Sequence, residues 1–378
     1  MKIVIAPDKY KGNMTSPELC SIIRNEFLAE MPDAEIVCLP LADGGDGTTE
    51  ALTSAHQGEL RTVSVTGPLG RTVSARLGVF DSGRSAVLEM ATASGLALLR
   101  PEELNPLRAD TFGTGELIRA ALDGGAEALT IGIGGSATTD GGIGMARALG
   151  YRFLDAAGQE LPPGPEALIR LEKIDLSGVD PRLFKTKIQV ACDVTNPLLG
   201  PNGTVAVYGP QKGITPNIAP KLEAALTQLA EVWKKQGMLE STDNPGDGAA
   251  GGLGAGLRAF CQAKLTSGAR LIMQVAGLDR HLENPDLLIT GEGCTDSQTD
   301  AGKLCGEAAA AAHRRGVPVL LLSGALKGDP AKFHQTFDYA FSTSTGAHTD
   351  LAEAIRAGRS DLQFTARNLA RLFKRGVR

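Results

Sequence analysis

A short apolar run near the start of the chain, Lys2-Ile3-Val4-Ile5-Ala6-Pro7, predicts a buried strand. Thr15-Ser16-Pro17-Glu18 then has the features of a helix start: a hydroxyl cap, a proline in the first turn and a glutamate three residues after the cap. Leu19, Ile22, Ile23 and Phe27 recur at helical spacing and form its buried stripe. Glu35 to Leu39 reads as a second strand, so the chain opens β-α-β, a parallel pair with a right-handed crossover. The pattern then changes. Val63 and Val65 alternate with polar residues, Gly67-Pro68-Leu69-Gly70 is a turn, and Val73, Ala75, Leu77 and Val79 alternate again. Period two around a Pro/Gly turn predicts an antiparallel hairpin with one wet face, to which Val87 to Met90 adds.

Helices and strands alternate from there. Helices are expected over Thr114–Leu122, Gly141–Leu149 and Pro220–Lys235, with a strand over Ala128–Ile133. The last third returns to strand (Asp286–Thr290), helix (Lys303–Arg315), strand (Pro318–Leu322), strand (Tyr339–Phe341) and a closing helix, Leu362–Lys374. Parallel strands at both chain ends and a mixed segment between them predict a discontinuous Rossmann-like α/β domain, residues 1–60 plus 280–378. A second α/β domain of mixed sheet, residues 61–279, is inserted in it.

The balance of 38 basic and 43 acidic residues gives a net charge of −5, and aromatics make up only 4%. That composition argues against a nucleic-acid-coating protein. No apolar run is long enough for a membrane span, and the six cysteines lie far apart with no C-x-x-C pair, so a reduced cytoplasm is the expected setting. Glycine changes the picture more. It supplies 47 of 378 residues, well above the usual share of about 7%, and falls in clusters flanked by apolar segments.

Five of these clusters combine glycine with a carboxylate, lysine or asparagine, most of them just after a predicted strand: Asp8 to Gly12, Asp43 to Thr48, Gly132 to Gly142, Cys192 to Pro197, and Gly291 to Asp296. Ligands of parallel sheets bind outside the carboxyl ends of the strands. Glycine-rich turns present backbone N–H groups to phosphate, carboxylates and asparagine supply hard oxygens for Mg²⁺, and lysine adds a point charge. Phosphoryl transfer requires that set. Taken singly, each has a plainer reading. Gly134-Gly135-Ser136 is a tight turn, Asp43 and Asp46 are solvated turn formers, Asp193 caps a turn before Asn196-Pro197, Lys11 is a surface lysine, and Asp296 accepts backbone N–H groups. Recurrence at five strand ends favours chemistry.

Gly132-Ile133-Gly134-Gly135-Ser136-Ala137 fits G-x-G-x-x-A, but the acidic residue at the expected distance, Asp155, sits in a predicted hairpin, which leaves dinucleotide binding a weak alternative. Gly302-Lys303 lacks the upstream glycine and following hydroxyl of a P-loop, and the five histidines show no ligand spacing.

At these loops the chain resembles the bacterial glycerate kinases that phosphorylate D-glycerate at its 2-position. The matching segments are Ala6-Pro7-Asp8 with Lys11-Gly12, Ala42 to Thr48, Phe112 to Ile118, Ile131 to Gly142, Ala191 to Val194 with Asn196-Pro197-Leu198, Gly209 to Gly213, Gly248 to Gly252, and Thr290 to Gly293 with Asp296. The resemblance implies ATP-dependent, Mg²⁺-assisted phosphorylation of a small hydroxy acid in a cleft between the two domains. Catalytic roles fall to Asp296, Asp193 and Lys11. Substrate or phosphate binding falls to Asp8, Lys9, Gly134, Gly135, Ser136, Lys212 and Glu292, and metal binding to Asp43, Asp193 and Asn196. The partners expected are the hydroxy acid and ATP, with no nucleic acid and no membrane; oligomeric state is open, a homodimer included. Two positions depart from the pattern. Lys9-Tyr10 stands where the family typically has serine and phenylalanine, and Cys294 where it has arginine. Lys9 would replace the lost cation if both face one cleft. The alternatives are a kinase of a related hydroxy acid, phosphorylation at the 3-position, or a regulator that binds the acid without turnover.

Overall fold

The computed structural model describes residues 1–296, 304–346, 348 and 350–376. The chain divides into two compact units: residues 1–43, 50–57 and 269–378, and residues 44–49 with 58–268.

The first unit is built on a five-stranded, wholly parallel sheet. Its order is Tyr339–Ser342, Val319–Ser323, Leu287–Thr290, Lys2–Ile5, Glu35–Cys38. The amino-terminal strand therefore lies inside the sheet, beside a strand from the last third of the chain, with Ile3 opposite both Ile36 and Leu287. The first helix spans Ser16–Glu30, and both halves of the Thr15/Glu18 capping box are present. Leu19, Ile22, Ile23 and Phe27 are buried with Leu362, Ala366, Leu369 and Ala370 of the last helix in one cluster. Arg359, Arg367 and Arg371 pair with Glu18, Glu26 and Glu30 in matching order. A surface pair such as Arg359–Glu18 contributes little; the apolar cluster holds the two helices together.

The last helix begins at Leu351 rather than Leu362, capped by the Asp350 side chain, which accepts from Glu353 N–H. Apolar periodicity reveals only its buried half. The helix expected from Lys303 is observed over Leu304–His313; Gly302 and Lys303 lie outside the described residues.

The second unit carries a six-stranded mixed sheet. Lys264–Thr266, Lys187–Ala191, Ala128–Gly132 and Ser85–Glu89 run parallel, and the predicted hairpin, Thr72–Phe80 with Glu59–Thr66, closes the edge antiparallel. Tyr151, Phe153 and Trp233 all pack edge-on against Phe260 in its core. The Asp155 segment forms the expected hairpin: its backbone pairs with Gln159, and its carboxylate accepts from Ala157 and Gln159.

The Ala249–Cys261 helix has no counterpart in the sequence pattern, since Ala-Ala-Gly-Gly-Leu-Gly-Ala-Gly is weak as a helix. Its glycines are there for close approach. A Cβ at Gly252 would lie 3.1 Å from the Gly141 Cα, and one at Gly256 3.1 Å from the Gly142 Cα. The entry passes through left-handed backbone at Ala250, Gly251 and Gly252.

Candidate active site

Within the first unit, every strand of the parallel sheet points its carboxyl end to the same edge, the side where such sheets bind ligands. Past Ile5 the backbone stays paired: Ala6 N–H donates to Ile289 O at 2.8 Å and Asp8 N–H to Gly291 O at 2.8 Å. The chain then folds tightly over Tyr10–Met14, and the Tyr10 hydroxyl donates to Leu322 O at 3.1 Å. Gly293 sits against this turn, where a Cβ would lie 3.2 Å from the Tyr10 Cα and from the Lys11 N. The loops bearing Lys9-Tyr10 and Cys294, the two departures from the family pattern, are therefore in contact.

This edge gathers Asp8, Lys9, Asp43 and Glu292. Lys9 Nζ is 3.9 Å from Asp43 Oδ1, and Lys9 N–H donates to Asp8 Oδ1 at 2.7 Å. Burial raises the Asp8 pKa to about 6, opposed by Lys9 and reinforced by the charges of Asp43 and Glu292. Lys11 is exposed on the same loop. Asp296 is half-buried in a short parallel ladder, opposite Lys327.

The raised Asp8 value carries a sign. Folding disfavours its charged form, so its contribution worsens as pH rises from about 4 to about 6. Asp8→Asn, neutral throughout, is expected to gain roughly 2 kcal/mol over the native chain between pH 4 and pH 7. Urea unfolding at both pH values checks this, and an unchanged difference would show that Asp8 ionises freely.

In the second unit, the carboxyl ends of four parallel strands carry the remaining candidates. The Gly134-Gly135-Ser136 turn follows the Ala128–Gly132 strand, with both glycines exposed and Gly135 at φ +75°. Leu96 N–H donates to Gly135 O at 2.8 Å and Ala137 N–H to Ser94 O at 3.0 Å, which pins the turn from one side. Among the described residues, the N–H groups of Gly134, Gly135 and Ser136 have no acceptor. Lys212 lies beneath, 2% exposed, donating to Ser136 Oγ at 2.7 Å and to Thr138 O at 2.6 Å. Burial drives its pKa down to about 7, and Asp140 pulls it back up.

Asp193 is exposed and reaches across to Ser267 and Gly268. Its Oδ1 accepts from Gly268 N–H at 2.7 Å and from the Ser267 hydroxyl at 3.1 Å. Asn196 is a brace: its Nδ2 donates to Asn202 O at 2.8 Å, and its Oδ1 accepts from the Tyr208 hydroxyl at 2.6 Å. Among the described residues, no group of three or more His, Cys, Asp or Glu side chains is arranged to hold a metal. Mg²⁺ needs no such group, because it keeps several waters and binds through one or two carboxylates plus substrate phosphates. Asp193 and Asn196 carry oxygens of the hard type that Mg²⁺ takes.

Two buried carboxylates were not singled out from the sequence as site residues. Glu89 ends a strand, is 5% exposed, and accepts from Gly47 N–H at 3.2 Å and Thr49 N–H at 2.6 Å, holding the Gly44–Thr49 segment on the sheet. Its position at a strand's carboxyl end was the available signal. Asp140, fully buried, accepts from Thr111 N–H and hydroxyl, Gly142 N–H and Gly144 N–H. Nothing in its sequence context separates it from a solvated turn former.

Comparison with known proteins accords with these loops. Residues 3–374 match the model of the glycerate kinase family. The chain is 45% identical to the glycerate 2-kinase of Escherichia coli K12, over 100% of this chain and 99% of that one. It is 44% identical to a glycerate kinase of Bacillus subtilis 168, over 99% and 98%. A crystal structure from Salmonella typhimurium LT2, of a protein assigned as glycerate kinase 2, superposes with a TM-score of 0.91 at 45% identity, covering 100% of this chain and 99% of that one. Among the described residues no helix is long and apolar enough to cross a membrane.

Proposed function

We propose that this chain, which belongs to the glycerate kinase family and is a kinase, transfers the γ-phosphoryl group of ATP to the 2-hydroxyl of D-glycerate, giving 2-phosphoglycerate and ADP. The observation that carries the ATP reading is the Gly134–Ser136 turn: three consecutive amide donors with no acceptor among the described residues, beside a buried ammonium. Such a concavity suits phosphate oxygens. Asp193 and Asn196 provide oxygens for Mg²⁺, which when bound neutralises charge on the phosphates. Asp43, also an oxygen donor in this scheme, belongs with Lys9 and Asp8 in the first unit.

Asp296 takes the proton from the substrate hydroxyl as its oxygen forms the bond to phosphorus and the bond to the ADP oxygen breaks. Asp193 is the poorer choice for that step. One of its oxygens is already fixed by two hydrogen bonds, which suits a stationary ligand better than a group that must accept and release a proton. Lys11, exposed on its loop, neutralises developing charge. Lys9, Asp8 and Glu292 contact the hydroxy acid, with Lys9 meeting its carboxylate.

A second reading rests on the touching loops of Lys9 and Cys294: a hydroxy acid other than glycerate is the preferred substrate. Measuring ADP release with Mg²⁺–ATP and a panel of small hydroxy acids decides between them, with phosphorus NMR to place the phosphate. Glycerate converted fastest, to the 2-phosphate, is the expected result. Preference for another acid supports the second reading, a 3-phosphate product corrects the position of transfer, and saturable binding without ADP release would sink the enzymatic mechanism.

A further inference from the structure

Lys212 closes the short Pro210–Lys212 helix and sends its ammonium inward. A buried ammonium is costly, and hydrocarbon of similar volume is often no less stable. The two bonds it makes grip Ser136 by its side chain and Thr138 by its carbonyl, while Ser94 and Leu96 hold the same turn through backbone bonds. Nearby, the Thr138 and Thr139 hydroxyls are buried with no hydrogen-bond partner among the described residues, so stability alone does not account for this polar assembly.

The direction of the Lys212–Ser136 bond matters. A charged lysine can only donate, so the Ser136 oxygen accepts and its own proton must point elsewhere. A neutral amine can accept, and the same 2.7 Å contact can then reverse, drawing the serine proton down toward lysine. We propose that Lys212 is a positioning residue: its charge orients the Ser136 hydroxyl outward as a fourth donor to the anion held by the Gly134, Gly135 and Ser136 amides, without touching that anion itself. The inference rests on the reading of this turn as the phosphate cradle. Asp140 is the carboxylate facing the ammonium, and Asp110 acts on Asp140 in turn. Because burial holds Lys212 near a pKa of about 7, the switch falls within the neutral range.

The test is binding of a non-hydrolysable Mg²⁺–ATP analogue from pH 6 to pH 9, by calorimetry. The native chain is expected to lose affinity about tenfold as pH rises through that range, the size of one charge-assisted hydrogen bond. Lys212→Arg, charged throughout, should bind with a flat profile at or near the low-pH affinity. Ser136→Ala should be flat at the weaker affinity, and it stays informative if a lysine variant folds poorly. Native-like pH dependence in both variants overturns this inference alone. Failure of the native chain to bind the analogue at any pH overturns the ATP reading and this inference with it.

Discussion

Asp140→Ala is expected to destabilise the second unit by about 4–6 kcal/mol, since it strands several buried donors at roughly 1–3 kcal/mol each. The carboxylate is fully buried and serves four of them: Thr111 N–H at 2.9 Å, the Thr111 hydroxyl at 2.8 Å, Gly142 N–H at 3.2 Å and Gly144 N–H at 3.1 Å. Thr111 stands at the entry of the Phe112–Asp123 helix, and its hydroxyl also accepts from Met145 N–H, so one side chain ties two helix starts together. Burial raises the Asp140 pKa while these donors oppose it. Asparagine keeps one acceptor oxygen and turns an NH₂ toward donors, so Asp140→Asn should fall between alanine and the native chain. The single tryptophan, Trp233, is fully buried in this unit, and its fluorescence during urea unfolding reads the loss directly. A change below about 1 kcal/mol would mean that the four donors find other partners.

The second large effect is on rate. Asp296→Asn is expected to lower kcat by about 10²–10⁴-fold, the range for a removed general base. Its position in a two-residue ladder, half-buried, predicts little cost to folding, within about 0.5 kcal/mol. Asp193→Asn should instead raise the Mg²⁺ concentration needed for half-maximal rate. Steady-state kinetics across Mg²⁺ concentrations separates the two roles. If Asp296→Asn keeps a rate within tenfold of native while Asp193→Asn loses kcat at saturating Mg²⁺, the assignments are reversed.

Much of the fold was legible because strong local signals and tertiary packing agree. The Thr15/Glu18 capping box, the period-two hairpin and the apolar strand runs each name an element whatever surrounds it. The missed elements lack such signals. The Ala249–Cys261 helix is glycine-rich because other backbone presses against it, a cause that lies outside its own window. The first half of the last helix is too polar to show a buried stripe. The glycine-carboxylate loops were equally legible, but their internal roles were not. Asn196, a candidate metal ligand by type, also braces its loop through Asn202 and Tyr208, and Asp193 also holds Ser267 and Gly268.

From residue types and spacing alone come most of the strand-helix order and the glycine turns at strand ends; the family came as a resemblance carried by those loops. Their physical basis is local: backbone preferences and side-chain periodicity act over a few residues. Tertiary structure alone decided that the amino-terminal strand lies beside Leu287–Thr290, and that Lys212 goes under the Gly134–Ser136 turn instead of out to water. It also decided that Asp140 and Glu89 are internal anchors. In each case the deciding term is desolvation. Whether a charged group is removed from water, and which partner compensates it, depends on chain segments far away in sequence, and no local pattern encodes that choice.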